Sequence, residues 1–171
     1  MALSIAAILI TVAVPSYTTF ILNNRLTSQV NEFVSSLNLT RSEAIKRGST
    51  ITMCKSATGT SCNTSTTGWD QGWVIFNDID ADNTVDTGEN ILLVNAGLSG
   101  GNTLLGESGS NVKNYIIYQP NGITTFPTAS GEVELILCDS RNDATKAKAI
   151  AVSTTGRIRT MSGSSSSLSC T

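Results

Sequence analysis

The sequence contains no histidine among its 171 residues. Because histidine is the commonest general base and transition-metal ligand, its absence excludes Ser-His-Asp and Cys-His catalysis by this chain alone. Charged residues make up only 14% of the chain and aromatic residues 5%, whereas Gly, Ser, Thr and Asn are abundant. This composition is typical of a β-rich secreted protein with many turns. We therefore expect a protein that is not an enzyme and takes no small-molecule substrate.

The net charge of −2 is unevenly distributed along the chain. Residues 1–47 carry four basic and two acidic groups (+2), and residues 48–133 carry two basic and eight acidic groups (−6). Residues 134–171 carry five basic and three acidic groups (+2). The acidic middle argues against broad affinity for nucleic acid, while the C-terminal segment leaves room for a local basic patch.

Four cysteines are present, and they form no C-x-x-C pair. Without histidine, a zinc site would need all four thiolates, and their spacings do not suit one. An even number of cysteines favours disulfides formed in an oxidising compartment. Of the three possible pairings we favour Cys54–Cys62, which closes a short polar loop, and Cys138–Cys170, which attaches the C-terminal tail to a strand.

The first 47 residues predict one long helix. The opening stretch, MALSIAAILITVAV, carries no charge, but it is shorter than the about 20 apolar residues that a bilayer-spanning helix needs. Further on, apolar residues recur at spacings of three, four and seven, as on one face of a helix. These residues are Phe20, Ile21, Leu26, Val30, Phe33, Val34, Leu37, Leu39, Ala44 and Ile45.

The predicted helix covers residues 2–47 and ends at Gly48, a natural C-terminal cap. Pro15 should kink it, because proline removes one helical hydrogen bond and clashes with the preceding turn. At 1.5 Å per residue such a helix is about 68 Å long, which exceeds the width of a globule of this size. We therefore expect residues 1–21 to project from a head formed by residues 22–171.

From Ser49 onward the pattern predicts six or seven antiparallel strands, each β-branched and bounded by turn residues. One face of their sheet should pack on the amphipathic half of the helix, giving an α+β fold. The Ser-rich end, MSGSSSSLSC, predicts a flexible loop. The strand segments are STITMC, GWVIFND, ENILLVNA, NVKNYIIYQPNG, GITTFP, GEVELILCD and AKAIAVSTTGRIRTM.

The segment DIDADNTVDTGE, residues 78–89, has the oxygen-ligand spacing of a calcium-binding loop. Asn83 stands at position 6, where the usual glycine takes a left-handed conformation that Asn also tolerates. The flanking segments are strands instead of helices, which favours the alternative of a solvated turn held by Asx hydrogen bonds. The candidate calcium ligands, at positions 1, 3, 5, 9 and 12, are Asp78, Asp80, Asp82, Asp86 and Glu89.

A second candidate site is TTGRIRT, residues 154–160. In a strand, Arg157 and Arg159 point to one face, about 7 Å apart, which suits neighbouring phosphates of a nucleic acid. Lys146 and Lys148 lie just upstream and could extend this patch. In the alternative, the arginines are solvated or paired with a carboxylate of Glu132, Glu134 or Asp139.

Four stretches resemble minor pilins of the GspH/FimT/FimU group, and they occur in the family's order. MALSIAAILITVAVPSY resembles the segment after the prepilin cleavage motif, including the proline of the helix kink, here Pro15. LNLTRSEAIKRG is similar to that group's "ARSEAIKR" helix end. GWVIFNDIDADNTVDTGENILL resembles its "W-x-V-F-x-D-x-D" stretch, and LCDSRND with AKAIAVSTTGRIRT resembles its C-terminal "T-G-R-x-R" segment. The resemblance implies a type IV pilin-like fold, with a long kinked N-terminal helix packed on an antiparallel β-sheet domain.

The resemblance also implies partners and a location. Such a subunit would sit in the bacterial inner membrane by its N-terminal helix, with a periplasmic head, and then join other major and minor pilins in an extracellular filament. In FimT-type relatives the Gly-Arg-x-Arg strand implies capture of double-stranded DNA during natural transformation. FimU-like priming of the pilus, or a GspH-like pseudopilin of type II secretion, is the alternative. The family's leader and Phe-Thr-Leu-Ile-Glu start are absent, so we expect the natural helix to begin several residues earlier.

Overall fold

A computed structural model of the chain describes residues 2–63, 65, 68–126 and 131–170, with side chains from Ser16 onward. Helix α1 spans Ala2–Arg47, which confirms the predicted helix, and it continues through Pro15. The kink at Pro15 stays a prediction. Gly48 ends the helix in a left-handed conformation (φ 63°), and its N–H donates to the Ala44 carbonyl at 3.0 Å.

Within the described residues the head contains eight strands, arranged as two four-stranded antiparallel sheets. The first sheet has the order β3-β2-β1-β5 and the second the order β4-β6-β7-β8. The strands are β1 Ile51–Lys55, β2 Gly72–Asn77, β3 Ile91–Ala96, β4 Thr103–Gly106, β5 Tyr115–Tyr118, β6 Glu132–Cys138, β7 Lys148–Ser153 and β8 Ile158–Ser162.

This architecture differs from the predicted single sheet in three places. Strand β4 was not predicted, and the stretch 147–161 is a hairpin of β7 and β8 instead of one strand. The predicted strand GITTFP reduces to one isolated bridge between Tyr118 and Thr124, and its Pro127 lies outside the described residues. A fold with two sheets lets both inner faces share the surface of a single helix.

The core lies where α1 meets the inner faces of both sheets. Phe33 of α1 is fully buried and makes edge-on contacts with Trp69 and Trp73, at ring-centroid distances of 5.3 and 5.1 Å. The Trp73 indole N–H donates to Ser36 Oγ at 3.0 Å, and the Trp69 indole N–H donates to the Val112 carbonyl at 2.8 Å. Both tryptophans therefore hold the helix to the sheets, and neither is available to stack on a nucleic-acid base.

The structure contains both favoured disulfides, Cys54–Cys62 and Cys138–Cys170. The Ser-rich tail, predicted to be flexible, is instead docked on the outer face of the second sheet. Glu134 Oε2 accepts hydrogen bonds from Ser166 Oγ at 2.7 Å and from the Ser167 N–H at 2.8 Å. The Glu134 carboxylate therefore holds the tail in place, because it binds the Ser166 hydroxyl and the Ser167 N–H, which would otherwise bind water.

Candidate functional surfaces

The N-terminal part of α1 presents apolar side chains to solvent. Tyr17 is 66% exposed, Phe20 60% and Ile21 38%, and residues 16–21 are all exposed. The buried core begins on α1 only at Leu26. We call residues 16–21 the exposed helical segment. No helix among the described residues combines the length and apolarity that spanning a bilayer requires.

A polar anchor fixes the head to α1 just after the exposed helical segment. The Arg141 guanidinium, in the loop between β6 and β7, donates to Asn23 Oδ1 at 2.8 Å. It also donates from Nε to both carboxylate oxygens of Asp139 at 3.0 Å. Arg141 holds the pKa of Asp139 below its usual range through this hydrogen bond. The anchor was not predicted, since Arg141 lies 118 residues after Asn23.

A second anchor lies six residues further along the helix, at Gln29. Gln29 Nε2 donates to the Ser99 carbonyl at 2.9 Å, and Asn102 Nδ2 donates to Gln29 Oε1 at 2.6 Å. Gln29 and Asn102 are both buried. Because these buried amides are paired with each other, the helix direction relative to the head is fixed by hydrogen bonds as well as by apolar packing.

The two arginines of the Gly-Arg-x-Arg motif have different environments. Arg159 on β8 is paired with Glu132 on β6, with Nε–Oε1 at 2.9 Å and Nη2–Oε2 at 2.6 Å. This pair lowers the pKa of Glu132. Arg157 precedes β8, is exposed, and has no carboxylate within salt-bridge distance among the described residues. Of the two, only Arg157 is free to meet an external anion.

The two lysines do not extend this arginine pair. In the β7–β8 register Ala151 faces Arg159, while Lys148 faces Ser162. Since the two pairs are three residues apart on each strand, Lys148 and Arg159 lie on opposite faces of the sheet. Lys146 and Lys148 instead border a groove against α1, beside Asn23 and Thr27. The structure therefore does not bring the four basic residues together on one face, and their role in binding DNA stays a prediction.

Arg41 of α1, which was not among the predicted site residues, binds the turn of the β7–β8 hairpin. Its Nη2 donates to the Thr155 carbonyl at 3.2 Å. The turn continues through Gly156, whose φ of 76° and close approach to the Gly122 carbonyl leave no room for a Cβ. In the sequence, Arg41 is marked only by its place in the RSEAIKR stretch. That place does not predict its contact with Thr155, 114 residues away.

The acidic loop between β2 and β3 brings three of the five candidate calcium ligands together. One carboxylate oxygen each from Asp78, Asp80 and Asp82 lie within 4.8 Å of one another. Asp86 and Glu89 are not members of this cluster. The Glu89 carboxylate instead accepts the N–H of Ile79 at 2.7 Å and of Asp86 at 3.1 Å. Burial raises the pKa of Asp78, and the charges of Glu89 and Asp82 act in the same direction.

The fold agrees with those of solved pilin subunits. The type IV minor pilin FimU of Pseudomonas aeruginosa is similar in one crystal form with a TM-score of 0.66 and 20% identity, over 89% of this chain and 99% of that chain. A second crystal form of FimU gives a TM-score of 0.62 and 19% identity, over 85% and 99%. The minor pseudopilin EpsH of the Vibrio cholerae type 2 secretion system gives 0.54 and 12%, over 81% and 97%.

Sequence comparison gives the family. No curated protein matches the sequence significantly. Residues 29–156, most of the chain, match the profile of the family described as type II transport protein GspH. The matched range contains the Gln29 anchor, the acidic loop and strands β1 to β7, while Asn23 and β8 lie just outside it. The chain therefore belongs to the GspH family and has the type IV pilin-like fold.

Proposed function

We propose that the chain is a non-enzymatic minor pilin that is built into a type IV pilus, at or near its tip, through α1. The observation that carries this proposal is the exposed helical segment. Tyr17 and Phe20 lie mostly in solvent, on a helix that projects from a well-packed head. Contiguous apolar surface of this kind is costly in water and is typical of a protein or membrane contact.

The partners in this proposal are other major and minor pilins, whose own helices would cover residues 16–21. Before assembly the helix would be held in the inner membrane and the head would lie in the periplasm. The two disulfides support that compartment, because disulfides persist in the oxidising periplasm and are rare in the cytosol.

The pilus is favoured over the secretion pseudopilus by backbone similarity. The chain overlays on the FimU minor pilin with a TM-score of 0.66 and on the EpsH pseudopilin with 0.54. The matching family is described as a type II transport protein, which is the observation in favour of the secretion role. The secretion role is the alternative that the experiment below must distinguish.

DNA capture is the less favoured addition to this role. Arg159 is engaged by Glu132, Lys148 lies on the other face of the sheet, and Lys146 lies in the loop before β7. A nucleic acid would therefore meet Arg157 first. Glu132 and Glu134 lie on the same face as Arg159 and would repel phosphates. Since affinity for DNA grows with the number of neutralised phosphates, a single free arginine supports very weak binding.

The proposal is tested by complementation in the source bacterium. The gene is deleted and replaced by a copy of the full precursor carrying an epitope tag. We expect surface pili to be lost on deletion and restored by the copy, and the tag to appear in sheared, purified filaments. Loss of type II secretion with normal piliation would assign the pseudopilin role instead. A deletion that leaves both machines intact, with the tag absent from filaments, would overturn the proposal.

A further inference from the structure

A buried carboxylate with one unpaired oxygen lies at the start of the acidic loop. Asp78 follows β2 directly and is 0% exposed. Its Oδ2 accepts the Thr52 hydroxyl at 2.6 Å and the Asn83 N–H at 3.2 Å. Its Oδ1 is buried, and no donor among the described residues reaches it. No basic side chain in the described part of the chain pairs with Asp78, so its charge has no compensating partner within the head.

Two further carboxylates converge on Asp78 from the solvent side. Oxygens of Asp78, Asp80 and Asp82 lie within 4.8 Å of one another. Calcium binds oxygen at 2.3–2.6 Å, so two oxygens on one ion are separated by at most about 5 Å. Three carboxylates at this separation repel one another strongly when nothing lies between them. The three carboxylates are therefore close enough to share one ion, and Asp78 is the buried member of the cluster.

The same loop contains a buried neutral oxygen and is braced by backbone hydrogen bonds to Glu89. The side-chain oxygen of Asn83 is buried and has no donor among the described residues. Glu89 braces the loop from the other side, through the N–H groups of Ile79 and Asp86. Glu89 therefore holds the loop in shape through the backbone and is not one of the three clustered carboxylates.

We propose that this loop binds one calcium ion through Asp78, Asp80 and Asp82, with the remaining positions filled by neutral loop oxygens and water. Calcium is preferred because it accepts six to eight oxygen ligands in irregular arrangements, including carbonyl groups and water. Magnesium requires a near-regular octahedron at 2.0–2.1 Å and gives up its own water reluctantly. The ion would neutralise Asp78 and hold the loop between β2 and β3 in one conformation.

The test measures calcium binding to the full, oxidised chain in detergent micelles after treatment with EDTA. We expect a single site by isothermal titration calorimetry. We also expect the melting temperature to rise by at least about 5 °C at a hundredfold excess over the dissociation constant. Magnesium at the same ionic strength should bind at least tenfold more weakly.

The test variant is Asp80→Asn with Asp82→Asn, which removes two charges and keeps both side-chain acceptors. It should bind calcium at least tenfold more weakly, and in EDTA it should be no less stable than the wild type, because repulsion is relieved. The matched control is Asp143→Asn. Asp143 accepts from the Thr145 N–H and hydroxyl at 2.8 and 2.7 Å, as Asp82 does from Thr84, but it lies outside the cluster.

Asp143→Asn should keep the affinity and the calcium-dependent rise of the wild type. Three results would each overturn the proposal. The first is that 5 mM calcium produces neither heat nor a change of melting temperature. The second is that the wild type and the double variant bind calcium with equal affinity. The third is that calcium and magnesium bind equally well. The last result would identify a diffuse attraction of cations to exposed acids. Because both aspartates are exposed, the double variant is expected to fold.

Discussion

The guanidinium of Arg159 on β8 reaches across β7 to the carboxylate of Glu132 on β6, with two hydrogen bonds of 2.9 and 2.6 Å. The two N–H donors with which arginine would bind a phosphate are therefore already bound to Glu132. The pair is partly solvated, with 48% of the Arg159 side chain exposed, so salt weakens it and a strong competing anion can displace it. Arg159 and Glu132 thus form a closed pair in the isolated subunit, while Arg157, the other arginine of the motif, is exposed.

The closed pair leads to a prediction about DNA. We expect the wild-type chain and the Arg157→Gln, Arg159→Gln variant to behave alike, with no retention of double-stranded DNA at micromolar protein and physiological salt. The Glu132→Gln variant releases Arg159 and should show weak binding at low salt. Fluorescence anisotropy of a labelled 30-base-pair duplex measures all three. Binding by the wild type that weakens with salt and disappears in the double-arginine variant would establish the DNA-capture alternative.

A second prediction concerns Arg141, which links Asn23 of α1 to Asp139. Arg141→Ala should lower the free energy of unfolding at neutral pH by about 1–3 kcal/mol, because a nearly buried carboxylate loses its hydrogen-bonded partner. Arg141→Lys keeps the charge without the fork, and it should recover only part of the loss. Urea denaturation followed by tryptophan fluorescence gives the values, and an Arg141→Ala protein as stable as the wild type would contradict the anchor.

The Arg141–Asp139 pair makes the free energy of unfolding depend on pH. The pKa of Asp139 is lowered in the folded chain, so its contribution is fully present above its unfolded value near 3.8 and is lost as pH falls through the folded pKa. The difference between wild type and Arg141→Ala should therefore shrink between pH 4 and pH 2. Repeating the urea series across this range checks it. A difference that stayed constant down to pH 2 would mean that the ion pair does not stabilise the fold.

A third prediction separates the two disulfides by the lengths of the loops that they close. Replacing Cys138 and Cys170, 32 residues apart, with serine should cost about 3–4 kcal/mol. Replacing Cys54 and Cys62, 8 residues apart, should cost about 2–2.5 kcal/mol. Denaturant unfolding of the two double variants measures the order. If the short-loop variant were the less stable one, the loop-entropy explanation would fail for this fold.

A fourth prediction contrasts two phenylalanines of the same helix. Phe33 is fully buried between two tryptophans, and Phe33→Ala should cost about 3–5 kcal/mol of folding free energy. Phe20 is mostly exposed, and Phe20→Ala should leave head stability within about 0.5 kcal/mol. Thermal unfolding of both variants tests this difference. Equal destabilisation would place residue 20 inside a packed region of the isolated subunit.

The helix and the local spacings could be predicted from the sequence because they depend on neighbours in the chain. The periodicity of apolar residues and the cap at Gly48 fix α1, and the spacing of Asp78, Asp80 and Asp82 brings their carboxylates together. The short strand β4 escaped prediction because TLLG has too few residues to show an alternating pattern.

The remaining features depend on contacts between distant residues, which spacing does not encode. The face of the sheet on which Lys148 lies follows from the β7–β8 register. Its closeness to the arginines in sequence predicted a shared patch, but Lys148 and Arg159 lie on opposite faces. The order of the Ser-rich tail depends on Glu134, 33 residues before Ser167. Composition alone favours flexibility there, and only the folded sheet supplies the acceptor.

The role of α1 as the assembly surface is tested most directly by photo-crosslinking in living cells. A photoreactive phenylalanine derivative is placed at residue 20, and in a matched control at Val94, which is 56% exposed on the head. We expect residue 20 to form covalent adducts with pilin subunits in sheared filaments, identified by mass spectrometry of the joined peptides, and Val94 to form few or none. Filaments in which residue 20 yields no pilin adduct would contradict helix-to-helix assembly through this segment.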